Sequence, residues 1–97
     1  MIIDGIEYQP VSSAEDKLRI VVCDRGFVLV GRVNVRDHYV TITNANCVRV
    51  WGTTRGLGQL AMEGPTSKTV LDPQPATRVH ELQVVQMIDC EETTWTL

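Results

Sequence analysis

Along most of the chain apolar and polar residues alternate with a period of two, the pattern of strands laid on a core. In 18–23, Leu18, Ile20 and Val22 share one face. Asp24-Arg25-Gly26 reads as a tight turn, with Gly26 available for a positive φ. The next strand runs from Phe27 to Val35. Phe27, Leu29, Gly31, Val33 and Val35 fall on one side, and Val28, Val30, Arg32 and Asn34 on the other. Two valines on that second side imply that it too is covered, by another part of the chain or by another subunit. After a turn at Arg36-Asp37-His38, Val40 and Ile42 alternate with Tyr39, Thr41 and Thr43. Asn44-Ala45-Asn46 reads as a third turn, because Asn tolerates left-handed φ. A fourth strand follows over Cys47 to Trp51.

The period then changes. Leu57, Leu60 and Ala61 fall at helical spacing, with Thr53 or Thr54 as N-cap and Gly64-Pro65 as a left-handed stop and breaker. This predicts one or two helical turns. Gly58 within them costs about 1 kcal/mol against Ala, which points to a close approach of backbone or ligand. A short strand at Thr69-Val70-Leu71, a rigid Asp72-Pro73-Gln74-Pro75 loop and a long extended segment over Val79 to Cys90 complete the pattern. In that segment Leu82, Val84, Ile88 and Cys90 are expected on one face. At the front, Ile3-Asp4-Gly5-Ile6 is a hairpin signal, Tyr8 to Val11 a candidate edge and Ser12 to Lys17 a polar loop.

Composition agrees with sheet. The chain has 14 Val, 6 Ile and 10 Thr against 4 Ala and 7 Leu, and β-branched side chains favour a pleated surface over a helix. At 97 residues there is room for one domain, spanning 1–97. The expected fold is all-β: a small SH3-like or Sm-like barrel, or a curled antiparallel sheet, with one short helix. Gly26-Phe27-Val28-Leu29-Val30-Gly31-Arg32-Val33, then Asp37-His38 and Thr41-Ile42-Thr43-Asn44-Ala45, has the rhythm that carries the Sm-like resemblance.

The charge narrows the function classes. Nine basic against twelve acidic residues leave a net charge of −3, which argues against a generic nucleic-acid binder. No apolar run approaches the roughly 20 residues needed to span a bilayer. The start of the chain lacks a basic, then apolar, leader, so secretion is not expected. Cys23, Cys47 and Cys90 are odd in number and widely spaced; they read as small buried hydrophobes in a reducing cytoplasm, with a Cys23–Cys90 bridge as the rival reading. Neither a metal site nor a cofactor is expected.

The most distinctive chemistry lies between Trp51 and Asp72. Two hydroxyls at Thr53 and Thr54, the Arg55 guanidinium, and glycines at 56 and 58 precede a helix start, whose free amides suit an anion. Thr66 and Lys68 would complete such a pocket, with Trp51 as a stacking face. The structural alternative is that the threonines cap, the glycines turn and Trp51 covers the end of the sheet. His38 is expected in solvent and His80 on an edge strand. Cys47 with either histidine would make a nucleophile and base, but nothing in the sequence orients such a pair. Asp89, Glu91 and Glu92 read as a solvated acidic cluster.

The block Val48 to Ala61, continued by Gly64-Pro65-Thr66, by Thr69-Val70-Leu71-Asp72-Pro73 and by Met87-Ile88-Asp89-Cys90, resembles a family of small bacteriophage and prophage proteins. The resemblance covers about the C-terminal half and carries no activity with it. It implies a viral or prophage origin and action in the cytoplasm of a bacterial host. The expected function is a non-enzymatic accessory protein that binds a small phosphorylated ligand, such as a nucleotide signal of host defence. The alternative is an interaction module that inhibits a host protein or belongs to the virion. Val28, Val30 and Trp95, as apolar surface in need of cover, favour a homo-oligomer.

Overall fold

A computed structural model describes residues 16–95; the front hairpin signal and the Tyr8 edge lie outside the described residues. Six strands form one antiparallel sheet: β1 (Lys17–Cys23), β2 (Val28–Arg36), β3 (Tyr39–Val50), β4 (Val70–Pro73), β5 (Thr77–His80) and β6 (Val84–Asp89). One short helix, α1 (Leu57–Glu63), lies between β3 and β4. The sheet order is β4-β3-β2-β1-β6, and β5 also pairs with β3. The all-β expectation therefore holds, as an open, curled sheet with one short helix.

Both faces of this sheet carry a core, because β1 and β2 present apolar side chains at successive positions. On one face Leu18, Ile20, Val28, Val30 and Val48 pack against Leu60 and Ala61 of α1, with Cys90 and Trp95. On the other, Val21, Cys23, Leu29, Val33, Val40, Ile42 and Ala45 form a second cluster. The cover over Val28 and Val30 is thus the chain's own helix and its own Trp95, whose indole Nε1 donates to Ala61 O at 3.2 Å. The surface that suggested an oligomer is closed within one chain. Cys23 and Cys90 belong to opposite clusters and are free thiols, which overturns the bridge between them.

Three local expectations are corrected. Asn44-Ala45-Asn46 is not a turn; β3 continues through it as one strand of 12 residues. The left-handed φ of 50° at Asn44 makes a bulge instead, because the β2 register slips by one residue between Val30 and Arg32. Gly31 lies opposite, where a Cβ would meet Thr43 O at 2.6 Å and the Ile42 side chain at 2.7 Å. Next, 79–90 is broken: a 3₁₀ turn over Glu81–Gln83 separates β5 from β6, held by His80 Nδ1 accepting from Leu82 N at 3.1 Å. A second register slip beside Cys23 puts Val84 in one cluster and Ile88 in the other, and Leu82, within the 3₁₀ turn, is left in solvent. Finally, Lys17, expected in a loop, opens β1.

Candidate functional site

The 51–69 loop comes together as a compact unit, and most of its polar groups answer one another. Neither threonine caps the helix; the N-cap of α1 is Gly56 at φ 87°. Thr53 Oγ1 donates to Gly56 O at 2.9 Å. Gln59, in the first turn, reaches back to accept from Arg55 N at 2.7 Å and from Thr54 Oγ1 at 3.2 Å. Thr66 Oγ1 donates to Gly52 O and Thr69 Oγ1 to Trp51 O, both at 2.7 Å. The Arg55 guanidinium meets Glu63 at 3.1 Å. The close backbone approach expected at Gly58 occurs at Gly52, where a Cβ would collide with the Lys68–Thr69 peptide; the space around Gly58 is open. Trp51 stays 43% exposed, and Lys68 is exposed with its amide donating to Thr66 Oγ1 at 3.1 Å. The C-terminal cap is as expected: Gly64, at φ 82°, donates to Leu60 O at 2.9 Å.

The acidic cluster is also engaged. Asp89 pairs with Arg19 at 2.8 Å and Glu92 with Arg32 at 2.6 Å. Glu92 accepts a further hydrogen bond from Leu18 N at 3.2 Å. The Arg32 hydrogen bond, then that from Leu18, holds its carboxyl below the ordinary carboxylate range. Burial, reinforced by Asp89, pushes the Cys90 thiol up to about 12, and burial raises Cys23 as well. Both are packing residues, since the thiolate is the reactive form.

Two open surfaces were not singled out from the sequence. The first is a groove of about 620 Å³ lined by Asn34, Arg36, Asp37, Tyr39, Thr41 and Arg78. Register explains it. Asn34 pairs with Thr41 and Arg36 with Tyr39 across β2 and β3, while β5 sets Arg78 beside Thr41 and His80 beside Tyr39. All stand on the face that α1 covers farther along, beyond the reach of the helix. His80 meets Tyr39 edge-on, with centroids 5.1 Å apart, and stacks on His38 at 6.4 Å. His38, expected in solvent, is exposed there but bonds Glu81 at 2.8 Å. The histidines lie about eight residues along β3 from Cys47, roughly 25 Å at strand rise, so the structure does not bring a nucleophile and base together from them.

The second surface is an apolar cleft of about 470 Å³ where the other cluster opens between β1, β2, β3 and β5. Cys23, Phe27, Leu29, Cys47 and Val79 line it, with Asp24, Arg25 and Gln83 among its polar residues. Phe27 is 63% exposed there, and Leu82, in the adjoining 3₁₀ turn, is 79% exposed. Among the described residues no three His, Cys, Asp or Glu side chains group as a metal would need, and no helix is long and apolar enough to cross a membrane. No protein-family model matches the chain, and no curated protein matches it.

Proposed function

We propose that the protein is a non-enzymatic interaction module that seats an apolar segment of a protein partner in the Phe27 cleft. The observation that carries this reading is a large aromatic side chain left mostly in water beside a concave apolar wall. Exposed apolar surface of this kind marks contact sites, and its hydrophobic centre with a polar rim is the usual anatomy of one. With the resemblance of its C-terminal half to small phage proteins, the partner is a bacterial host factor met in the cytoplasm. A pull-down from host lysate with the wild-type protein and with Phe27→Glu tests it, alongside light scattering to detect self-association. One partner retained by the wild type and lost by Phe27→Glu supports the reading. Identical captures by both, or a cleft filled by a second copy, overturn it.

A second reading keeps the small phosphorylated ligand at the Trp51–Lys68 loop. The exposed Trp51 indole and the exposed Lys68 favour it. It requires Arg55 to exchange the Glu63 carboxylate for a phosphate, so Glu63→Gln should tighten any nucleotide binding there. Calorimetry that finds no heat with either protein removes this reading.

A further inference from the structure

We propose that the groove across β2, β3 and β5 is a binding site for a nucleoside phosphate, separate from both surfaces considered above. The charges are the first argument. Arg19, Arg32, Arg49 and Arg55 each meet a carboxylate. Arg25, Arg36 and Arg78 have no such partner among the described residues, and two of these three converge on this one groove. A pair of free guanidinium forks on either side of a concave surface is suited to phosphate oxygens, which they hold by charge-assisted, bidentate bonds.

The remaining lining residues separate a nucleotide from a bare anion. Tyr39 is 48% exposed within the groove, and the edge-on contact with His80 at 5.1 Å steadies its ring. A steadied, half-exposed aromatic beside arginines is a platform for a planar base. Asp37, the groove's one carboxylate, would repel a simple anion but accepts hydrogen bonds from ribose hydroxyls. By strand register Thr41 and Tyr39 stand between the two arginines, and Thr41 adds a neutral hydroxyl; Asn34, beside Thr41, donates its amide to Asp16 at 3.0 Å. A volume of about 620 Å³ has room for a mononucleotide.

Titration by NMR or calorimetry with AMP, adenosine and inorganic phosphate, on the wild type and on the Arg36→Ala/Arg78→Ala double variant, tests this assignment. Both arginines are exposed, so the variant keeps its fold, which thermal unfolding checks. AMP should bind at least tenfold more tightly than either fragment, and the double variant should lose at least tenfold. Tyr39→Ala should weaken AMP while leaving any phosphate binding unchanged. Inorganic phosphate binding as well as AMP overturns the nucleotide assignment, and a double variant that binds AMP normally overturns the site. A short single-stranded oligonucleotide that outcompetes AMP overturns the small-ligand form of the proposal. The Phe27 pull-down is independent of all these outcomes.

Discussion

The 51–69 loop and the β2–β3–β5 groove use the same residue types and arrive at opposite states. Each has arginine, threonine and a half-exposed aromatic. In the loop, Thr53, Thr66 and Thr69 hydroxyls close onto backbone carbonyls, and Arg55 onto Glu63. In the groove, Arg36 and Arg78 stand on the two strands that flank β3, with no carboxylate paired to either among the described residues. A loop has to satisfy its own backbone before it can serve a ligand, whereas strand backbone is satisfied by its neighbours. Side chains on a sheet are therefore free in a way that the same side chains in a glycine-rich loop are not.

The largest expected effect breaks the core beneath the loop and its helix. Trp95→Ala removes the indole that closes the helix-side core and takes from the Ala61 carbonyl one of its two donors, leaving that of Glu91 N. It should cost about 3–5 kcal/mol in urea unfolding. A smaller cost would show that Trp95 covers less than its position implies. The next pair sharpens the contrast directly. Thr69→Val strips an acceptor from Thr66 N and a donor from the Trp51 carbonyl, and should cost about 1–3 kcal/mol. Thr41→Val in the groove should stay within about 0.5 kcal/mol. Equal costs would erase the distinction.

The third prediction concerns acid. The folded pKa of Glu92 is lowered by Arg32 and by Leu18 N, so its contribution is complete above the ordinary carboxylate pKa and is lost as pH falls through the lowered value. A pH series of thermal unfolding should show that acid limb flattened in Glu92→Gln. The smallest effect is Glu63→Gln. Its pair with Arg55 is exposed, so stability should shift by less than about 1 kcal/mol. A larger loss would mean that the ion pair holds the loop together.

The sheet was legible where period-two alternation is local. β1 and β2 appear close to their expected bounds, with the expected residues on each side of β2. What escaped depended on partners distant in sequence. A lone left-handed Asn is a turn or a bulge according to what faces it, and Gly31 across the ladder decides for the bulge. The 3₁₀ break at Glu81 rests on an imidazole acting as a cap, a role no pattern assigns to His80. The candidate residues of the loop do assemble, but whether their hydrogen bonds were free depended on Gln59 and Glu63 reaching back. The groove was missed because Arg36 and Arg78 come to line one surface only through the pairing of β5 with β3. The one local hint was the spacing of Arg78 and His80, two apart like Thr41 and Tyr39, which sets each pair on a single face.

The placement of Trp95 bears on how the chain is made. The β1–β2–β3 meander needs only local hairpins, which close within microseconds, and it can form as soon as residue 50 has left the ribosome. At that moment the flank bearing Leu18, Ile20, Val28, Val30 and Val48 is bare, because its helical lid, β6 and the indole that locks them come later in the chain. A chain cut short before 51–95 would keep that greasy side turned outward, with nothing of its own to shield it.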